Sequence, residues 1–146
     1  MTSGYDVRCS SIVLHQHGIL LVHHTHDGLD DWVLPGGTPR PDENMTACAS
    51  RELYEETGIS GDMSGVAFVV ESVPPGSERR VLDIVFVVSE PILGRESSRE
   101  EGLEPRFIPP DQLAGLKMHP SLAGHLGRFL DSGARGCAAY ISNLWR

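Results

Sequence analysis

The chain has 146 residues, 40% of them hydrophobic, and a formal net charge of −8 from 12 basic and 20 acidic side chains. No apolar run approaches the roughly 20 residues that span a bilayer, so no membrane segment is expected. The acidic balance argues against long nucleic acid as a partner but not against a small phosphorylated one. The length suits one domain, which we predict to extend over residues 1–146.

The N-terminus and the cysteines bear on location. Residues 1–11 lack a basic region followed by a long apolar core, so no signal peptide is predicted. Cys9, Cys48 and Cys137 are odd in number and far apart, which favours reduced thiols over a disulfide framework or a zinc site. A cytoplasmic location is therefore expected.

Two β-strands are predicted near the N-terminus, at residues 7–14 and 19–25, with a turn at residues 17–18. Five histidines lie in or beside them: His15, His17, His23, His24 and His26. Some of these would share a strand face, so a transition-metal site is one interpretation. Half-exposed strand and turn histidines account for the same pattern, and the sequence leaves both interpretations open.

A polar turn at residues 27–31 leads into Trp32 and, four residues later, into a pair of glycines. Gly36 and Gly37 allow the backbone to come close to a ligand. Trp32 is left open between core packing and base stacking. Beyond two prolines, Asn44 is a good N-cap for a helix that Gly58 would end.

The predicted helix carries three glutamates on one face. Glu52, Glu55 and Glu56 are spaced i, i+3 and i+4, so their carboxylates project from the same side about one turn apart. Like charges so spaced repel one another, and a bound cation would turn that repulsion into binding. Carboxylate oxygens are the ligands that Mg²⁺ prefers, and Mg²⁺ usually reaches its site together with phosphate oxygens. The other interpretation is a surface helix with a solvated acidic face.

Residues 37–59 resemble the signature of the Nudix hydrolase family, G-x5-E-x7-R-E-U-x-E-E-x-G-U, in which U is a bulky aliphatic residue. Every fixed position is matched: Gly37, Glu43, Arg51, Glu52, Leu53, Glu55, Glu56, Gly58 and Ile59. The fold class that this resemblance implies is α/β, of the α+β type. We expect a Nudix-like α/β/α sandwich, in which a mixed β-sheet is flanked by helices.

The resemblance also implies roles for individual residues. The metal ligands would be Gly36, through its carbonyl, and Glu52, Glu55 and Glu56. The cofactor would be Mg²⁺, with Mn²⁺ as an alternative. Arg51 would act in catalysis beside Glu52 and Glu55, and Arg51 and Glu43 would form an ion pair that orients the carboxylates next to the metal. Gly37 and Gly58 complete the supporting positions.

The general base is left open. Glu52 or Glu55 serves in some family members, and in several the base comes from a later loop. The candidates there are Glu90, Glu100, Glu101 and Glu104. We favour Glu101 among them, although each is also explained as a solvated surface carboxylate. The candidate phosphate clamps are Arg40, Arg79, Arg80, Arg95, Arg99 and Arg106.

The second half of the chain predicts more strands and two short helices. Strands are expected at residues 64–73 and 80–88, followed by a charged loop at 95–102. Residues 104–113 resemble a late Nudix segment in which a short strand precedes a helix, and another helix would run from residues 119–120 to about residue 130. The tail at 133–146 could add a strand, pack on the core or contact a neighbouring subunit, since homodimers are common among Nudix proteins.

The activity that the resemblance implies is Mg²⁺-dependent hydrolysis of a pyrophosphate bond in a nucleoside diphosphate derivative. The substrate would be a nucleotide sugar, an ADP-ribose-like compound or a nucleoside triphosphate. Metal-bound water has a lowered pKa, so a nearby carboxylate can take its proton near neutral pH. The alternative is a regulatory Nudix-like domain that binds nucleotides without cleaving them. Such domains commonly lose box carboxylates, all of which are present here.

Overall fold

A computed structural model describes residues 4–16, 18–25, 28, 30–74, 76–94, 102–118, 121–133 and 139–142. Within these ranges the chain forms nine β-strands, two α-helices and one 3₁₀ helix. Neither α-helix in this part of the chain has the length and apolar character of a membrane span. The mixture of strands and helices confirms the predicted fold class.

The larger of two sheets contains five strands. They are β1 (Tyr5–Ile12), β5 (Gly36–Gly37), β6 (Ser60–Ser72), β7 (Arg80–Ile92) and β9 (Ala139–Ser142), and they lie in the order β5-β1-β7-β6-β9. β1 runs parallel to β7 and β9 parallel to β6, whereas β5 pairs with β1 and β6 with β7 in antiparallel fashion. This is the predicted mixed sheet.

A second sheet, entirely antiparallel in the described residues, packs beside the first. Its strands are β2 (Leu14–His15), β3 (Gly18–His24), β4 (Asp31–Val33) and β8 (Leu103–Ile108). β3 is central to it and pairs with β2, β4 and β8. The division into two sheets was not anticipated, because strand pairing depends on tertiary contacts that the pattern of one strand does not contain.

Helix α1 (Met45–Thr57) covers one face of the larger sheet, where Cys48 and Ala49 pack against Cys9 and Phe86. The opposite face contributes Ile12 and Val85 to the main core. This core is completed by the smaller sheet, by the 3₁₀ helix Pro110–Gly115 and by α2 (Ala123–Asp131). Cys9 and Ile12 lie on opposite faces because side chains alternate along a strand.

The later elements lie where the sequence predicts them, and one of them differs in the type of helix it forms. The helix predicted after the proline-acid pair is a 3₁₀ helix, and α2 ends at Asp131, next to the predicted end. Of the three roles open to the tail, residues 139–142 adopt the first two: they form the edge strand β9, and Ile141 packs in the main core. Residues 119–120, 134–138 and 143–146 lie outside the described part, and the homodimer stays a prediction.

Candidate active site

The position of the acidic face depends on how α1 begins, ends and packs. Its N-cap, Asn44, accepts a hydrogen bond from the Ala47 N–H at 2.8 Å. The helix ends at Gly58, whose φ of 74° lies in the left-handed region that favours glycine. The buried side chains are Cys48, Ala49, Leu53, Glu56 and Thr57. This packing turns the acidic side of α1 toward β5.

Arg51 and Glu43, which the resemblance pairs, form a bidentate ion pair. Arg51 Nε donates to Glu43 Oε2 at 2.6 Å, and Nη2 donates to Oε1 at 2.9 Å. The Arg40 backbone N–H donates to the same Oε1 at 2.9 Å. These hydrogen bonds, that from Arg51 above all, lower the pKa of Glu43 to about 2.

The same guanidinium contacts two of the three box glutamates. Arg51 Nη1 donates to Glu52 Oε1 at 2.8 Å and to Glu55 Oε2 at 3.2 Å, while Nη2 donates to the Thr38 carbonyl at 3.3 Å. The hydrogen bonds to Glu43 and Glu52 raise the pKa of Arg51 above its ordinary value. Arg51 therefore fixes both carboxylates relative to the loop that follows β5.

Glu52 lies directly against Gly37. A Cβ atom built on Gly37 would be 2.3 Å from the Glu52 carboxyl carbon and 2.5 Å from its Oε1. Real Cβ atoms essentially never come that close. Glycine at this position therefore permits the approach of helix and strand that seats the Glu52 carboxylate.

Glu55 and Glu56 lie on either side of Glu52. The Glu55 side chain is 37% exposed, compared with 15% for Glu52, and its Oε1 lies 3.7 Å from Arg40 Nη2. Glu56 is buried, and its Oε2 accepts a hydrogen bond from the Gly36 N–H at 3.3 Å. The three carboxylates thus lie along the junction of α1 and β5, which we call the acidic junction.

The donor atoms at the acidic junction fit a hard divalent cation. In the described residues no three His, Cys, Asp or Glu side chains are already arranged to hold a metal ion, and Glu52 and Glu55 are bonded to Arg51 instead. The available donors are the carboxylate oxygens of Glu52, Glu55 and Glu56 and the Gly36 carbonyl, which are the oxygen ligands that Mg²⁺ prefers. The assignment of these four residues as metal ligands stays a prediction.

The other candidate bases are dispersed. Glu90 is exposed near the end of β7, with a φ of 48°. Glu104, on β8, accepts a hydrogen bond from Arg106 Nη2 at 2.8 Å, and this bond lowers its pKa. Glu100 and Glu101, including the loop candidate that we favoured, lie outside the described residues. Glu52 and Glu55 are therefore the described candidates at the acidic junction.

Three of the four candidate phosphate clamps that the structure describes are bonded to carboxylates away from the acidic junction. Arg79 bonds to Asp6, Arg80 to Glu71 and Arg106 to Glu104. Arg95 and Arg99 lie outside the described residues. Among the candidates that are described, Arg40 is the one placed at the acidic junction, through its contact with Glu55.

The N-terminal histidines occupy separate surroundings. His23 stacks on Trp32 with a centroid distance of 4.3 Å and an interplanar angle of 4°. His15 packs against Phe107 at 5.6 Å. His17 and His26 lie outside the described residues, and among the residues described His15, His23 and His24 belong to no group of three side chains that could hold a metal ion. The metal interpretation therefore stays open. Trp32 also packs against the main core, which favours the packing interpretation for this residue.

Sequence reasoning missed a polar group next to Gly36. Arg8 and Ser10 on β1 and Asp83 on β7 are hydrogen-bonded to one another beneath the strand that carries the glycines. The signal that could have revealed it is Asp83 itself, a single acidic residue within the apolar run at 81–88. A carboxylate at an inward strand position requires partners.

Acid should weaken the fold through Glu43. Its folded pKa of about 2 lies below the ordinary value, so its ion pair contributes stability above about pH 4.5 that is lost as the pH falls toward 2. We expect Glu43→Gln to lower the free energy of unfolding at pH 7 and to differ much less from the wild type at pH 2.5. Urea unfolding at the two pH values measures this, and an equal difference at both would contradict it.

The fold and the acidic junction together define a class of domain. A mixed sheet carries a glycine pair, and a helix with three glutamates lies over that pair. Two of those glutamates accept hydrogen bonds from a half-buried arginine of the same helix. Residues 5–130 match the family model described as NUDIX domain, and the chain belongs to this family.

Individual relatives share parts of the sequence or the whole fold. Diphosphoinositol polyphosphate phosphohydrolase 3-alpha of Mus musculus is 35% identical over 60 residues, which cover 41% of this chain and 35% of that protein. The NUDIX hydrolase from Nitrosomonas europaea superposes with a TM-score of 0.75 at 18% identity, covering 89% of this chain and 90% of that one. A UDP-X diphosphatase superposes with a TM-score of 0.73 at 20% identity, covering 95% of this chain and 68% of that one. The match spans about a third of the curated relative, and at such identities the two structures establish the fold.

Proposed function

We propose that this domain hydrolyses a phosphoanhydride bond in a nucleoside diphosphate derivative, with Mg²⁺ as the cofactor and Mn²⁺ as a substitute. The observation that carries the proposal is the acidic junction. Glu52, Glu55 and Glu56 are all present, and they lie on one helix against Gly36 and Gly37. A regulatory domain that only binds nucleotides has no need of all these carboxylates.

Each side chain at the acidic junction has a proposed role that follows from its position. A divalent cation bound at Glu52, Glu55, Glu56 and the Gly36 carbonyl would neutralise phosphoryl oxygens and lower the pKa of bound water. Arg51 fixes the orientation of Glu52 and Glu55, because its Nη1 donates a hydrogen bond to each. Glu43 in turn holds the guanidinium by two parallel hydrogen bonds.

Glu55 is our candidate for the general base. Its side chain is 37% exposed and Glu52 only 15%, so Glu55 is the more accessible to an attacking water. Arg40 lies 3.7 Å from the other oxygen of Glu55 and is itself exposed, so it can contact a phosphate group next to that water. Glu101 stays the alternative base.

The charge distribution favours a substrate with few phosphates. The relative from Mus musculus bears a name that indicates a diphosphoinositol polyphosphate, a densely anionic substrate. In the described residues of this chain, Arg79, Arg80 and Arg106 are bonded to carboxylates. The whole chain has a formal net charge of −8. A nucleotide sugar or an ADP-ribose-like substrate needs fewer cationic contacts, which a bound divalent cation and Arg40 would supply.

A substrate panel tests the proposal. Nucleotide sugars, ADP-ribose, nucleoside triphosphates and a diphosphoinositol polyphosphate would each be incubated with the full chain in Mg²⁺, in Mn²⁺ and in EDTA, and the products separated by chromatography. We expect cleavage of a nucleoside diphosphate derivative that EDTA abolishes. Tight nucleotide binding without turnover in either metal would instead favour the regulatory alternative. Cleavage of the inositol compound alone would overturn the substrate class.

A further inference from the structure

A polar network, buried at Ser10 and Asp83 and partly exposed at Arg8, lies beneath the segment that leads into Gly36. Ser10 Oγ donates to the two carboxylate oxygens of Asp83, at 2.8 and 3.0 Å. Arg8 Nε donates to Ser10 Oγ at 3.2 Å and lies 3.7 Å from Asp83 Oδ2. Arg8 and Asp83 meet because they are register partners in the parallel pair of β1 and β7. We call these three residues the β1–β7 network.

The network contacts the backbone that precedes the glycines. Arg8 Nη2 donates to the Leu34 carbonyl at 2.9 Å. The next carbonyl, that of Pro35, accepts a hydrogen bond from the Ser11 N–H at 3.0 Å. Two successive carbonyls of the segment are therefore held by β1.

Gly36 continues this series and connects it to α1. It is the register partner of Ser10, and a Cβ atom on Gly36 would be 2.4 Å from Ser10 Oγ. Its N–H donates to Glu56 Oε2 at 3.3 Å. A continuous path of contacts therefore runs from Asp83 through Ser10 to Gly36 and on to Glu56.

Packing alone does not explain a carboxylate at position 83. Asp83 is 5% exposed, and burial raises its pKa to about 6. The next residues on the same face of β7, Val85 and Val87, pack in the main core. Burying a carboxylate costs free energy even when it is hydrogen-bonded, whereas a satisfied polar network fixes geometry more narrowly than apolar contacts do.

We propose that Arg8, Ser10 and Asp83 are positioning residues, which hold residues 34–36 so that the Gly36 peptide stays aligned with Glu56 at the acidic junction. The catalytic consequence rests on the proposed function, because it requires the Gly36 carbonyl to serve the cation. The structural consequence, local order of residues 34–36, does not depend on turnover.

Two variants with one control test this inference. Ser10→Ala removes the hydroxyl that joins Arg8 to Asp83, and Asp83→Asn removes the negative charge next to Arg8. The first variant remains informative if the second does not fold. Glu71→Gln is the matched control, because Glu71 lies on the same sheet in an exposed cluster with Tyr5 and Arg80. Amide hydrogen exchange by NMR would be measured at Ser11, whose N–H bonds to Pro35, and at amides of the β6–β7 pair as a reference.

We expect Ser10→Ala to speed exchange at Ser11 at least tenfold while the β6–β7 amides change by less than about twofold, as in local opening. On a cleaved substrate, kcat should fall about 10-fold or more with KM within about twofold, the size typical of groups that orient metal ligands. Glu71→Gln should leave exchange and kcat unchanged. Uniform acceleration across the sheet, or no change at Ser11, would overturn the inference. If the wild-type chain cleaves no substrate, the proposed function is refuted. The exchange rate at Ser11 then decides by itself whether the network positions residues 34–36.

Discussion

Replacing Glu55 with glutamine should lower kcat by about 10²- to 10⁴-fold, the contribution of a positioned general acid or base. Glutamine keeps the length and shape of the side chain but removes its charge and its ability to accept a proton. It also removes one ligand for the cation. The fold should survive, because the Glu55 side chain is 37% exposed and its partner Arg51 keeps both bonds to Glu43. Turnover of the substrate identified in the panel, together with urea unfolding, measures both effects.

Two further variants separate the candidates for the base. Glu90→Gln should retain wild-type kcat, because Glu90 lies exposed near the end of β7 and lines a surface cavity with Ser60 and Asp62. Glu101→Gln tests the loop candidate directly. Full turnover in Glu55→Gln, combined with a large loss in Glu101→Gln, would move the role of base to the loop and contradict our assignment.

The box helix was predictable almost to the residue. Its cap at Asn44, its stop at Gly58 and its glutamate spacing are all local features, and each rests on backbone geometry within a single helix. Alternation and β-branched content, which are read over a few residues, located the strands but not their ends. Strands were predicted at residues 64–73 and 80–88, whereas β6 is Ser60–Ser72 and β7 is Arg80–Ile92. The sequence alone therefore predicted an acidic face on a helix that follows the glycine pair.

The contacts made by arginine were not predictable in the same way. Six arginines were equal candidates for phosphate binding. The fold pairs Arg79 with Asp6 on β1 and Arg80 with Glu71 on β6, whereas Arg106 bonds to Glu104 on its own strand. Arg8 was not a candidate at all, although it reaches the Leu34 carbonyl next to the glycines. Such pairs are decided by strand register and sheet order, which long-range packing determines.

The division into two sheets also depends on long-range packing, and it determines where the glycine pair lies. Since β5 pairs with β1 at Ser10 and Cys9, the glycine pair lies at the edge of the larger sheet, next to α1. The acidic junction is therefore formed by two consecutive elements, β5 and α1, which both contact the distant strand β1. A local motif supplies its carboxylates, and the sheet supplies the surface against which they are held.

Gly37→Ala should lower kcat almost as strongly as Glu55→Gln, although it replaces no charged residue. The new methyl group would lie 2.3 Å from the Glu52 carboxyl carbon, so the carboxylate must move or β5 must shift away from α1. A misplacement of about 1 Å in a catalytic arrangement can cost about 10²-fold in rate, and we expect a fall in kcat of that order. Gly65→Ala is the matched control, because a Cβ atom there meets nothing within 4 Å. Steady-state kinetics and urea unfolding of both variants would be compared. If Gly37→Ala were as active as Gly65→Ala, turnover would not depend on the position that Gly37 allows the Glu52 carboxylate to adopt.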